Sequence, residues 1–230
     1  MAAPAAAMTT LPPALLEALL DPEKADAEKT NVIHQLNTAF LSAASFSVVE
    51  AMARQCCRAD VVRAACGLLV SGDALGWMVL VFLRYVAYAD GALRLFQTSG
   101  VLAAVLGMMR GLQHDEHQLR LSLELLTLLF QSPAASGERS AWDRAPPSHL
   151  ERPLDALTKS GACCMLIQLL KAGPGEAVGV MVVQLLQLLL ATHAGRRQCA
   201  KAGLERVVDE QFPEAEAEAV RQQLAKGDDP

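Results

Sequence analysis

His114-Asp115-Glu116-His117 is the only local cluster of metal-ligating residue types in this 230-residue chain. Two histidines and two carboxylates could begin a zinc site, but zinc asks for a closed tetrahedron of well-spaced donors. No further ligand follows at a suitable spacing, and the cluster lies between two apolar runs, where a polar turn and a helix N-cap are expected. The six cysteines, at 56, 57, 66, 163, 164 and 199, offer no better grip. Neighbours on a helix point about 100° apart, so Cys56-Cys57 and Cys163-Cys164 make poor chelates. Cys163 and Cys199 fall where apolar residues recur, and buried reduced thiols are the expectation. Ala172-Gly173-Pro174-Gly175 has the glycines of a phosphate cradle without the Lys-Ser or Lys-Thr that completes one, so it reads as a turn. His34, His149 and His193 have no acid–base partner close in sequence, and there is no nucleophile elbow. The chain is therefore expected to carry no catalytic residue, no metal and no cofactor, and not to be an enzyme.

The elements that hold these residues are legible from three glycines. Ala89 to Gly100 reads ADGALRLFQTSG, Leu150 to Gly161 reads LERPLDALTKSG, and Thr192 to Gly203 reads THAGRRQCAKAG. After the glycines come VLAAVLGMM, ACCMLIQLL and LERVVDEQF. Each unit reads as a medium helix, a long apolar helix, a short helix and a closing glycine, and a repeat at this period points to stacked helical units. Asp60 serves as the N-cap of the first medium helix and Ser71-Gly72-Asp73 as the turn that ends it. Asp60 to Gly100 is 40 residues and Gly161 to Gly203 is 42, but Gly100 to Gly161 is 61. The excess lies at 131–149, a polar, proline-bearing insert that reads as a surface loop and contains Trp142.

Upstream, residues 1–28 read as a tail with a short helix from Pro13 to Leu20. Residues 29–58 read as a helical N-terminal cap, with Asn31 as the N-cap of a helix through Leu41. A second helix from Ser45 to Arg58 places Phe46, Val49, Met52 and Ala53 on one face. Residues 59–212 hold the repeats, and 213–230 form an acidic C-terminal helix and tail.

Composition agrees with an all-α chain: 52% of residues are hydrophobic and only 4% aromatic, without the period-two alternation of half-buried strands. The net charge of −5 lacks the basic footprint that phosphate-backbone binding requires, so nucleic acid is excluded as the main ligand. The mean hydropathy of +0.25 raises the question of membrane spans. The longest apolar stretches, Ala74 to Leu83 and Val178 to Ala191, fall short of the roughly 20 residues that cross a bilayer. No secretory or mitochondrial signal is visible, and a cytoplasmic location is expected.

The unit resembles the armadillo repeat, a three-helix motif of about 40 residues. Gly161 with Leu166, Leu169 and Leu170 fits the second helix of that motif, Val182 to Leu190 the third, and Arg197 before Gly203 the short first helix of the next unit. The resemblance covers roughly residues 59–212. It implies a right-handed α-solenoid of three to four armadillo-like repeats and a protein-binding role. In armadillo proteins that clamp extended peptides, the third helix carries an asparagine that bonds the peptide backbone. Here the matching positions are Leu188, Leu128 and about Arg84, and the only asparagines are Asn31 and Asn37. Apolar positions cannot satisfy the N–H and C=O groups of an extended ligand, which favours docking of helices or domains.

The function expected is a non-catalytic interaction scaffold, adaptor or structural subunit whose partners are proteins within a larger complex. Trp77, Arg84, Tyr85, Tyr88 and Trp142 are the interface candidates by residue type. A membrane-associated helical protein is the alternative, marked by a need for detergent, and a helical enzyme is the next, marked by a bound cofactor or metal.

Overall fold

The computed structural model describes residues 10–70, 76–111, 115–130, 157–212 and 214–225. Trp142, the 131–149 insert, His114, His149 and the Ser71-Gly72-Asp73 turn lie outside the described residues. Every regular element among the described residues is an α-helix. The chain divides into two compact units, Met1–Met108 and Met109–Pro230.

The first unit is built from α1 (Pro13–Leu20), α2 (Asp26–Leu41), α3 (Phe46–Cys56), α4 (Ala59–Val70), α5 (Gly76–Val86) and α6 (Ala92–Thr98), with most of α7 (Val101–Gly111). α2 starts five residues before the expected cap at Asn31, which stands exposed inside the helix. The start is set at Ala25, whose N–H donates to the Glu28 carboxylate at 3.2 Å, so the acidic residue of the first turn satisfies an end group that no capping side chain serves. The buried stripe Val32, Ile33, Leu36 and Phe40 then faces α5, whose Val79, Leu80, Leu83 and Val86 are buried in turn. Asn37 shares that stripe, and its Nδ2 donates to the Met78 carbonyl at 2.8 Å, tying α2 to α5.

α4 begins at Ala59, so Asp60 lies in the first turn instead of capping it. Its Oδ1 accepts from the Val61 N–H at 2.9 Å, and the Arg58 guanidinium meets Oδ2 at 2.6 Å. The hydrogen bonds from Arg58 hold the Asp60 carboxyl below the usual carboxylate range. On α3 the expected core face shifts: Met52, Ala53 and Cys56 are buried, whereas Phe46 is exposed because it opens the helix and its ring leaves the core.

The second unit contains α8 (Glu116–Phe130), α9 (Ala162–Lys171), α10 (Glu176–Leu190), α11 (His193–Lys201), α12 (Leu204–Gln211) and α13 (Glu214–Ala225). α8 lies against α10, and α9 sits against α10, α11 and α12. Gly161 and Gly203 have φ of +84° and +79°, immediately before α9 and α12. That left-handed conformation is open to glycine at little cost and strained for other residues, which explains the closing glycine of each unit. Gly100 before α7 shares it. Gly195 answers a different need, because a Cβ there would overlap the Leu189 carbonyl oxygen at the tight α10–α11 turn. Thr192 caps that turn, its Oγ1 accepting from the Gly195 N–H at 3.0 Å.

Candidate functional site

At the C-terminal ends of α2 and α5, the first unit gathers its rings. Phe40 stacks on Tyr85 with centroids 4.6 Å apart and planes 5° from parallel, while Phe82 lies tilted behind Phe40 at 6.5 Å. Phe46, from the start of α3, meets Tyr88 edge-on at 5.3 Å. Phe40 and Phe82 are buried and serve as the floor. Tyr85 and Tyr88 are half-buried, and Arg84 beside them is half-buried too. Leu41 and Phe46 remain 74% and 59% exposed, a solvent contact that large apolar side chains leave when something covers them.

The local sequence explains this clustering. α5 is apolar nearly all round, so its α2-facing side is filled by aliphatic residues, and its last turn carries rings where α2 ends. The chain from Leu41 to Ser45 then turns away, and Phe46 re-enters above Tyr88. Of the expected interface, Tyr85 meets Phe40, Tyr88 meets Phe46, and Arg84 is their half-buried neighbour in the chain. Trp77 lies in the first turn of α5, roughly 12 Å along the helix axis from Tyr85, and is half-buried. Phe40, Leu41 and Phe46 were missed by sequence reasoning, which placed Phe46 only on one helical face with Val49, Met52 and Ala53. The one available signal was the run Ser42-Ala43-Ala44-Ser45 before Phe46, which offers that ring no large apolar neighbour on its N-terminal side.

The chemical candidates resolve into structure. Asp115 caps α8, its Oδ1 accepting from the Gln118 N–H at 3.0 Å and its Oδ2 from the Gln118 side chain at 2.8 Å. His117 is exposed on the helix surface. Among the described residues no group of three His, Cys, Asp or Glu side chains is placed to hold a metal ion. Residues 172–175 form the turn between α9 and α10, with Gly173 at φ +66°.

Four cysteines, 56, 66, 163 and 199, are buried; Cys57 is half-buried, and Cys164 is exposed, which corrects the expectation of uniformly buried thiols. Burial pushes the Cys56 thiol up to about 12 and the Cys66 thiol up to about 11. Cys199 donates its S–H to Cys163, and that bond together with burial holds Cys199 protonated. Cys56, Cys66 and Cys199 are thus held as thiols at neutral pH, unlike the electropositive thiolates that act as nucleophiles, whereas the hydrogen bond that Cys163 accepts from Cys199 moves the Cys163 thiol down. Among the described residues, no helix is long and apolar enough to cross a membrane.

No protein-family model and no curated protein matches the chain. Among solved structures, two designed armadillo repeat proteins are similar to it. One is 13% identical, with 94% of this chain and 98% of that one covered, at a TM-score of 0.45. The other, in complex with a (KR)4 peptide, is 12% identical, with 94% and 99% covered, at the same TM-score. At these values the likeness decides nothing about partner or activity.

Proposed function

We propose that this chain is a non-catalytic protein-binding scaffold, acting as an adaptor or as a subunit of a larger assembly. On this reading a partner protein covers the patch formed by Leu41, Phe46, Tyr85 and Tyr88, with Arg84 at its rim. The observation that carries it is the exposure of Phe46, whose ring meets Tyr88 edge-on, and of Leu41, which follows the Phe40 that stacks on Tyr85. Tyrosine and arginine beside desolvatable apolar anchors are the composition of interface hot spots, where truncation costs about 2 kcal/mol or more of binding. Six free thiols suit a reducing, cytoplasmic setting. Trp142, in the insert beyond the described residues, is proposed as a second anchor, whereas Trp77 stands apart from the patch.

The test is purification of the tagged full chain from its own cells, beside a Leu41→Ser, Phe46→Ser double variant whose far-ultraviolet circular dichroism and Tm match the parent. A protein recovered in stoichiometric amount with the parent and lost with the variant supports the proposal. Recovery unchanged in the variant, or association of the parent with phosphatidylcholine vesicles through the same two residues, contradicts it.

A further inference from the structure

The second unit holds an open cleft of about 450 Å³ where the end of α7 and the start of α8 lie beside α9. Its floor is apolar, made by the buried Met109, Leu119, Met165, Leu169 and Val178. Its polar members, Arg110, Glu116 and Gln168, are exposed to solvent. Two glycines show where the charges lie. A Cβ on Gly161, just before α9, would stand 3.5 Å from Arg110 Nη2, and one on Gly175, past the far end of α9, would overlap the Glu116 carboxylate. The guanidinium is thus at the N-terminal end of α9 and the carboxylate at its C-terminal end. The 10 residues of α9 rise about 1.5 Å each, which sets the two charges about 15 Å apart. Among the described residues neither Arg110 nor Glu116 belongs to an ion pair.

An occupant complementary to this cleft carries an anionic end, apolar side chains, and a cationic end about 15 Å from the first. That span is about five residues of extended chain or about ten of helix. An extended chain would lay its N–H and C=O groups over an apolar floor that leaves them without partners. A helix satisfies its own, and acidic residues in its first turn with basic residues in its last agree with its dipole. The two methionines of the floor adapt to side chains of different shape. We infer that the cleft along α9 docks an amphipathic helix of a partner protein, parallel to α9, with its acidic first turn against Arg110 and its basic last turn against Glu116. This surface is separate from the aromatic patch of the first unit and does not depend on it.

The probe is a fluorescein-labelled peptide of about ten residues, held helical by a lactam bridge on its polar face, with leucines at helical spacing on the other. It carries glutamates in its first turn and lysines in its last, and a control peptide carries them exchanged. Fluorescence anisotropy with the full chain is expected to show saturable binding of the probe, about tenfold tighter than the control. In the double variant Arg110→Glu, Glu116→Arg, with circular dichroism like the parent's, the preference reverses. Ala172→Trp fills the cleft from an exposed position and abolishes binding of both peptides, whereas Leu41→Ser, Phe46→Ser leaves it unchanged. Equal affinity for the two peptides, a preference that survives the charge exchange, or no saturable binding below about 1 mM overturns the inference. Binding retained in Ala172→Trp and lost in Leu41→Ser, Phe46→Ser overturns it too, because the peptide then lies on the aromatic patch.

Discussion

Phe82 and Phe46 both make ring contacts in the first unit, Phe82 with Phe40 and Phe46 with Tyr88, and have opposite fates. Phe82 is fully buried between α5 and its neighbours, whereas Phe46 keeps more than half of its surface in water. The second unit makes no such concession among its described residues beyond Val180, 52% exposed and alone on α10. Among the described residues, buried polar atoms without a partner occur in both units, Asn37 Oδ1 in the first and Thr127 Oγ1, Arg196 Nε and Gln223 Oε1 in the second. The two units therefore differ in exposed apolar surface, which the first leaves at Leu41 and Phe46 and the second at Val180. Rings at a helix end do not by themselves make a core, and apolar content of 52% does not say where the surplus goes.

The largest effect expected separates the two phenylalanines. Phe82→Ala should lose about 3–5 kcal/mol in urea unfolding, the range for emptying a filled aromatic site. Phe46→Ala should lose less than about 1 kcal/mol, since it gives up an edge contact with Tyr88 and little burial. Equal losses would erase the distinction between floor and docking face.

Next come two glycines of the second unit. Gly195→Ala should destabilise by about 1–3 kcal/mol, because the new methyl meets a backbone carbonyl that cannot swing aside. Gly179→Ala, within α10 with open space around it, should stabilise by up to about 1 kcal/mol. A neutral Gly195→Ala would show that the α10–α11 turn is looser than drawn.

A smaller effect follows from the buried thiols of the first unit. The folded-state values of Cys56 and Cys66, about 12 and about 11, lie above the ordinary thiol range near 8.5. The folded state holds those protons more tightly, so their contribution is complete below about pH 8.5 and is lost as pH rises toward the folded values, by up to about 1.4 kcal/mol per pH unit for each thiol. Unfolding free energies at pH 8 and pH 10 should therefore differ less in Cys56→Val than in the parent. At pH 8, Ellman's reagent should label Cys164 first, and Cys56, Cys66, Cys163 and Cys199 only on unfolding.

Local constraints left the clearest marks in the sequence. The left-handed conformation is adopted most easily by glycine, so Gly100, Gly161 and Gly203 marked the starts of α7, α9 and α12, although α5, expected to be the long helix of its repeat, spans 11 residues against 12 for α4. The apolar settings of Cys163 and Cys199 likewise announced their burial. What escaped depends on distance along the chain. Asn37 finds its partner 41 residues away, and Phe46 meets Tyr88 across a similar gap. Arg196 and Gln223 share a cavity only because α13 folds back against α11. The start of α2 was misplaced because Ala25 has no capping side chain, and Glu28 acts from inside the first turn.

The central claim, that the first unit carries the docking face, is tested most directly by placing a photo-crosslinking phenylalanine analogue at position 46 and, separately, at position 180 of the full chain in its own cells. The expected result is a discrete protein adduct from position 46, lost on adding Leu41→Ser, and none from position 180. An adduct from position 180 with none from position 46 would contradict the account.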